Sequence, residues 1–81
     1  MNIKERLMSV INSVSHVHEY EPSDFIFSSK YSLTEVDMVY LIIELSNEFK
    51  FCINDKFIDA LELCTFGELE RMLEQYDIVN S

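Results

Sequence analysis

The sequence is short of glycine, proline and cysteine: its 81 residues include one glycine, one proline and two cysteines. A single glycine leaves no glycine-rich loop of the kind that binds phosphate groups. Cys52 and Cys64 have no CxxC spacing, so we expect free thiols rather than a disulfide framework. No apolar run is long enough to span a membrane, and the segment Met1–Glu5 lacks the charged-then-apolar pattern of a signal peptide. We therefore expect a cytoplasmic protein.

Basic residues are also scarce, since the chain has six of them against fifteen acidic residues and a net charge of −9. The six are scattered along the chain: Lys4, Arg6, Lys30, Lys50, Lys56 and Arg71. Direct nucleic-acid binding is disfavoured, because neutralising phosphates requires clustered Lys and Arg. The acidic excess fits two interpretations, namely a basic protein partner or charge that keeps a small protein soluble.

Candidate metal and catalytic residues are few. His16 and His18 lie beside Glu19 and Glu21, but alternate residues in a polar loop are usually solvated and no third strong ligand is placed by sequence, so we expect no metal site. No Ser-His-Asp arrangement has supporting motifs, and paired carboxylates are expected at this composition. A small helical bundle also leaves little room for a concave site. We therefore expect a protein that is not an enzyme.

The length and the apolar content of 48% predict one domain over residues 1–81. Apolar residues at helical spacing predict an amphipathic first helix over Asn2–Val14, with these side chains inward: Ile3, Leu7, Val10, Ile11 and Val14. The next segment, "SHVHEYEPSDFIFSSKYS", holds the only proline and many polar residues. It predicts a long loop anchored by Phe25, Phe27 and Tyr31.

A second helix is predicted from near Thr34 to Phe49. Two overlapping capping boxes could begin it, one pairing Ser32 with Glu35 and the other pairing Thr34 with Asp37. In a capping box the side chains at the first and fourth positions each accept a hydrogen bond from the other residue's backbone N–H. The sequence leaves the choice between the two boxes open.

Two shorter patterns complete an all-α bundle. Asn54 or Asp55 can cap a third helix that runs to about Leu63, and Thr65 with Glu68 forms the capping box of a fourth. The predicted inward side chains are Phe57, Ile58 and Leu61 in the third helix and Phe66, Leu69, Leu73 and Tyr76 in the fourth. No strand-like alternation persists anywhere in the chain.

Three stretches in order carry a resemblance to a known family. They are "IKERLMSVI" from Ile3, "ELSNEFKFCI" from Glu44 and "TFGELERML" from Thr65. Together they resemble the opening helix, the end of the second helix and the closing helix of the acyl carrier protein family. The resemblance implies a four-helix bundle with a long loop between helices 1 and 2. In that family a serine at the start of the second helix carries 4′-phosphopantetheine.

The position that corresponds to this serine depends on the alignment register. Read locally, "SLTEVDMV" from Ser32 is similar to the family motif, which would put the prosthetic arm on Ser32. That register needs three extra residues before Phe49, and three residues turn a helix by about 300°, which would take the family's buried positions away from the core.

The other register needs no gap between Phe27 and Ile53, and we prefer it. Thr34 then replaces the family's capping Asp, and Glu35 replaces the serine. It places the following residues on core or inner-face positions: Val36, Val39, Ile42, Ile43, Leu45 and Phe49. A carboxylate at Glu35 cannot form a stable phosphodiester, so no cofactor is expected, whereas its charge suits the first turn of a helix.

The resemblance also implies a partner-binding face on the second helix, because the family docks on enzymes through that helix. Here we predict the face to contain Glu35, Asp37, Met38, Tyr40, Ile43 and Asn47. Aromatic and Met side chains are enriched at protein interfaces, and acidic ones favour basic partners. The competing interpretation is that Met38 and Tyr40 pack under the long loop as ordinary core, and that Glu35 only caps the helix.

Three functional hypotheses follow. The chain is a docking or adaptor protein without a prosthetic arm, as occurs among acyl-carrier-related proteins of bacterial peptide-maturation clusters. Alternatively, it is a functional acyl or peptidyl carrier with 4′-phosphopantetheine on Ser32. The third hypothesis is an unrelated acidic helical bundle that occludes a basic site on another protein.

Overall fold

Four helices make up the protein in a computed structural model that describes the backbone of residues 2–80 and the side-chain surroundings of residues 2–76. They are α1 (Ile3–Val14), α2 (Glu35–Phe49), α3 (Asp55–Leu63) and α4 (Phe66–Asn80). Over residues 2–80 the only β-type pairing is one isolated bridge between Phe25 and Thr65, so the predicted all-α class is confirmed. None of the helices in this range has the length and apolar character needed to cross a membrane.

Side-chain caps begin α1 and α3, and Asn2, which was predicted as the first residue of the first helix, is instead its N-cap. The Asn2 side chain accepts a hydrogen bond from the Glu5 N–H at 2.8 Å, and Asn54 accepts one from the Phe57 N–H at 2.8 Å. Asn54, rather than Asp55, is therefore the cap of α3. Each such bond satisfies one of the N–H groups that a helix start leaves without a partner, and contributes about 1 kcal/mol.

The core takes side chains from every helix and from the loop between α1 and α2. The helical members are Leu7, Val10, Ile11, Leu41, Ile42, Leu45, Phe49, Phe57, Leu61, Phe66, Leu69 and Leu73. Most of these positions were predicted from the helical spacing. Ile3, Val14, Ile58 and Tyr76, also predicted inward, are partly buried against the cluster.

Residues 15–34 connect α1 to α2 and are tied to the core at Val17, Tyr20, Ile26 and Tyr31. The prediction of Phe25 as an anchor is wrong, because its side chain is 57% exposed. Phe25 forms the bridge to Thr65 and begins a turn that the Ser28 N–H closes by donating to the Phe25 carbonyl at 3.1 Å, and it is the second residue of that turn, Ile26, whose side chain enters the core. Of the other predicted anchors, Tyr31 is buried and Phe27 is partly buried.

The loop also supplies hydrogen-bond acceptors to the start of α4. The Phe66 N–H donates to the Asp24 carbonyl at 3.0 Å, and the Gly67 N–H donates to the Pro22 carbonyl at 2.9 Å. A Cβ at position 67 would lie 3.1 Å from that Pro22 oxygen, so a larger residue would require the loop to shift by a few tenths of an ångström. The Tyr20 ring stacks on Phe66 at 4.3 Å between centroids. The long loop is therefore fastened to α4.

Helices α1 and α2 pack antiparallel. Near the start of α1, Arg6 Nε donates to the Glu48 carboxylate at 2.9 Å, and Arg6 Nη2 donates to the Glu48 carbonyl at 3.1 Å. At the other end of α1, Ser13 and Val14 lie beside the middle of α2. This arrangement leaves the side of α2 that faces away from the core uncovered.

Candidate docking surface

The start of α2 is fixed by one of the two capping boxes that the sequence allows. Thr34 Oγ1 accepts a hydrogen bond from the Asp37 N–H at 3.1 Å, and Asp37 Oδ2 accepts one from the Thr34 N–H at 3.0 Å. Thr34 is thus the N-cap and Glu35, which is exposed, is the first helical residue. The alternative box between Ser32 and Glu35 is not formed, because Ser32 lies outside the helix.

Ser32 adopts a left-handed backbone conformation with φ of 51°. This conformation is uncommon for residues other than glycine and does not continue into a helix. The hydroxyl is exposed, and it donates one hydrogen bond of 3.3 Å to the Ser29 carbonyl. The Ser32 oxygen is therefore accessible, but it lies in the loop, three positions before the helix begins.

The segment ahead of Ser32 is held by a small hydrogen-bond network. The Tyr31 hydroxyl donates to Asp24 Oδ2 at 2.6 Å and accepts from the Glu21 N–H at 3.0 Å. Lys30 Nζ donates to the same Asp24 oxygen at 2.9 Å. These bonds, first from Tyr31 and then from Lys30, lower the pKa of Asp24. The backbone that leads into α2 is thereby attached to the rest of the loop.

A strip of exposed apolar residues runs along α2 on the side away from the core. We name Val36, Val39, Tyr40 and Ile43 the α2 strip; their exposed fractions are 62%, 55%, 56% and 42%. At about 100° per residue these positions share one face, opposite the buried residues Leu41, Leu45 and Phe49.

The prediction that Val36 and Val39 face inward is therefore wrong, and Ile43 is also substantially exposed. Helix α2 is apolar around most of its circumference, whereas its buried residues, Leu41, Ile42, Leu45 and Phe49, occupy only one side of it. Leu41, which is buried, was missed as a core residue. Its spacing of four and eight residues from Leu45 and Phe49 was the signal that could have identified it.

The six predicted partner-binding residues divide into two groups. Glu35, Tyr40, Ile43 and Asn47 are exposed. Asp37 is partly buried within the capping box, and Met38 is partly buried against the core. The interpretation of Met38 as a core residue is thus the one that the packing favours, whereas Tyr40 is too exposed for that interpretation. The binding role of all six stays a prediction.

The charge around the α2 strip has a single sign. Helix α2 carries Glu35, Asp37, Glu44 and Glu48 and has no Lys, Arg or His between residues 35 and 49. Glu48 is the only one of the four whose side chain forms a salt bridge within the described part of the chain, and its partner is Arg6. A partner that covers the strip meets apolar side chains with carboxylates beside them.

A groove adjoins the strip between the end of α1 and the middle of α2. Its volume is about 430 Å³, and it is lined by Ser13, Val14, Tyr40 and Glu44. Tyr40 belongs both to the groove and to the α2 strip, so the two form one continuous surface. The Ser13 hydroxyl donates to the Val10 carbonyl at 2.7 Å, so its proton is used and its oxygen keeps the capacity to accept a further hydrogen bond.

Other candidate sites are less developed. Among residues 2–76 no group of three His, Cys, Asp or Glu side chains could hold a metal ion, and His16 and His18 are exposed in the loop. Both cysteines are free: Cys52 is exposed, and burial raises the pKa of the Cys64 thiol to about 11. Leu63, at the end of α3, is 77% exposed beside a groove between α3 and α4, a feature that the sequence reasoning missed.

Comparisons with models of known protein families, with curated proteins and with solved structures found no match to this chain.

Proposed function

We propose that this chain is an acyl-carrier-protein-like docking or adaptor protein that acts in the cytoplasm and binds a partner enzyme through the α2 strip. The partner enzyme belongs to a biosynthetic or peptide-maturation pathway, and the chain itself is not an enzyme. One observation carries the proposal: four apolar side chains at helical spacing lie exposed on α2, opposite the core, and the only charges on the helix are acidic.

The energetics of the strip support a docking role. A fully buried large apolar side chain contributes about 1.5–3 kcal/mol, so covering four that are 42–62% exposed contributes about 1 kcal/mol each. Contiguous apolar surface on a small protein typically marks an interaction site. The apolar strip suits an apolar patch on the partner, and the neighbouring carboxylates favour basic residues around that patch and repel acidic ones.

The start of α2 supports a protein without a prosthetic arm. Glu35 is the first helical residue and follows the N-cap Thr34, which corresponds to the register in which Glu35 occupies the family's serine position. A carboxylate there would form a labile acyl phosphate rather than a phosphodiester. Its negative charge is instead favoured by the dipole at the helix N-terminus. The expected cofactor is therefore none.

The docking role is tested by adding one negative charge to the strip. Immobilised wild-type protein, Tyr40→Asp and Gln75→Asp are compared for recovery of a partner from the source cells by cross-linking and mass spectrometry. Tyr40→Asp should lose the partner, because a charge on the strip must be desolvated on binding. Gln75→Asp is the matched control, since residue 75 is exposed on α4 and receives the same charge. Equal recovery by all three proteins contradicts the docking surface, provided that circular dichroism shows each to be folded.

The second candidate function is an acyl or peptidyl carrier modified on Ser32, and the exposed hydroxyl favours it. The test is intact mass after incubation with coenzyme A and a broad-specificity phosphopantetheinyl transferase, with an authentic carrier protein treated alongside. We expect no gain in mass. A gain in mass of one phosphopantetheine that is absent in Ser32→Ala would establish the carrier function. It would also contradict the preferred alignment register, which places Glu35 at the family's serine position.

A further inference from the structure

We propose that the groove between α1 and α2 binds an arginine side chain of the partner. This inference rests on the proposed docking function and names the residue that anchors the partner beside the α2 strip. The groove combines three surfaces that suit arginine: the ring of Tyr40, the carboxylate of Glu44 and the aliphatic side chain of Val14.

Each surface matches one part of the arginine side chain. The aliphatic stem packs on Val14, which is partly buried. The planar guanidinium stacks on the face of Tyr40, a residue that is 56% exposed. The guanidinium N–H groups donate to the Glu44 carboxylate and to the Ser13 oxygen, since a guanidinium presents several donors in one plane.

Glu44 has no cation of its own within the described part of the chain. Its side chain forms no hydrogen bond or salt bridge with another residue there. The part of α1 that leads to the groove, Leu7–Val14, contains no charged residue, and α2 contains no basic one. An apolar anchor in the groove would leave this carboxylate desolvated and unpaired, and an acidic anchor would be repelled.

The same helix already holds a guanidinium one turn further on. The Arg6 guanidinium pairs with Glu48 at 2.9 Å, and its Cζ lies 4.3 Å from the centroid of the Phe49 ring. Glu44 precedes Glu48 by four residues, so the two carboxylates lie along the same side of α2. The Glu48 carboxylate pairs with Arg6 of α1. The Glu44 carboxylate, with Tyr40 beside it, remains available for a cation that a partner protein supplies.

A second copy of this chain is a poorer occupant. Its α2 would bring the same four acidic residues and no basic one to the interface. The like charges would oppose the burial of two α2 strips against each other. The charge pattern therefore favours a different protein, with an arginine next to the apolar residues that cover the strip.

The test uses two synthetic amphipathic helical peptides that differ in one residue. Each has leucines at helical spacing on one face, and a flanking position holds either arginine or citrulline, which keeps the shape of arginine and lacks its charge. Dissociation constants are measured by fluorescence anisotropy for wild type, Glu44→Gln and Ile43→Asp, with Glu62→Gln as a matched control on exposed α3 surface.

We expect wild type and Glu62→Gln to bind the arginine peptide about tenfold more tightly than the citrulline peptide, from the pairing with Glu44 and the stacking on Tyr40. Glu44→Gln should reduce that preference to about two- to threefold, from the stacking on Tyr40 that remains, while its affinity for the citrulline peptide stays unchanged. Ile43→Asp should weaken the binding of both peptides.

The alternative outcomes separate this inference from the function on which it rests. Equal affinity of wild type for the two peptides, with both lost in Ile43→Asp, overturns the arginine site and leaves the docking strip in place. Failure of both peptides to bind wild type counts against the docking surface and the arginine site together. Sedimentation equilibrium tests the last alternative. If wild type is a dimer that does not bind the peptides, and Ile43→Asp is a monomer, then a second copy of the chain occupies the surface and the proposal is overturned.

Discussion

Thr34→Ala should destabilise the protein, and Ser32→Ala should not. Thr34 Oγ1 accepts the Asp37 N–H at 3.1 Å, whereas the Ser32 hydroxyl only donates a longer bond of 3.3 Å to the Ser29 carbonyl in an exposed turn. Alanine at position 34 keeps the backbone N–H that donates to Asp37, and also the carbonyl that accepts from Met38 at 3.0 Å. The substitution therefore removes one of the two capping-box bonds.

The size of the effect follows from that single bond. Replacing a Thr N-cap by Ala costs about 1 kcal/mol. For a domain of this length, this lowers the melting temperature by about 4–8 °C. With a urea m-value of about 1 kcal/mol/M, the midpoint falls by about 1 M. Ser32→Ala changes an exposed side chain with one long hydrogen bond, so its effect should stay within about 0.5 kcal/mol.

Urea unfolding followed by far-UV circular dichroism measures both substitutions against wild type. Thr34→Ser is the control, because serine keeps the accepting oxygen and should restore most of the lost stability. If Ser32→Ala lowers the midpoint as much as Thr34→Ala, α2 begins at the earlier capping box. That result would refute the assignment of Glu35 to the first position of the helix and would weaken the argument against a prosthetic arm.

Two further predictions concern the loop that packs on α4. Hydrogen bonds lower the pKa of the Asp24 and Glu68 carboxyl groups in the folded state. The stability that these two carboxylates contribute is therefore complete above their ordinary pKa values of 3.8 and 4.5, and it is lost as the pH falls through the lower pKa values of the folded state. Urea midpoints between pH 6 and pH 3 should therefore fall less steeply for Asp24→Asn than for wild type. Separately, Tyr20→Phe should lower the free energy of unfolding by about 1–2 kcal/mol, since it removes the 2.6 Å bond to Glu70 and keeps the stack on Phe66. Urea unfolding at pH 7 measures this loss.

The predictions for Asp24→Asn and Tyr20→Phe would each be contradicted by one result. Parallel pH profiles for wild type and Asp24→Asn would mean that the Asp24 network with Tyr31 and Lys30 does not persist in solution. For Tyr20, the control is Tyr40→Phe, which removes a hydroxyl from an exposed ring and should change stability by less than about 0.5 kcal/mol. Equal effects of the two Tyr→Phe substitutions would show that the bond to Glu70 contributes nothing.

The helices and most of the core could be predicted from local patterns. Apolar spacing identified Leu7, Leu45 and Leu73 as buried, and short-range capping signals identified Asn54 and Thr65. These features depend on residues three or four apart on one helix, so a single sequence contains the necessary information.

The exposed face of α2 could be predicted only in part. Tyr40 was expected on the partner-binding face through the family resemblance, Ile43 was assigned both to that face and to the core or inner-face positions, and Val36 and Val39 were expected in the core. An apolar helix does not indicate by itself which side its neighbours will cover. The same limit applies to the loop, where Phe25 and Ile26 are adjacent apolar residues and only Ile26 is buried.

The sequence by itself determined an acidic, all-α chain with four helices, because charge is read directly from composition and helical spacing and capping depend on residues a few positions apart. It also determined that α2 carries acids and no bases. Only the tertiary structure decided which capping box begins α2, which side of α2 stays uncovered, and that Tyr40 and Glu44 meet Val14 in a groove. These outcomes depend on how α1 and α4 pack against α2 and on where the loop is fastened. Such contacts join residues distant in the chain, and no local pattern specifies them.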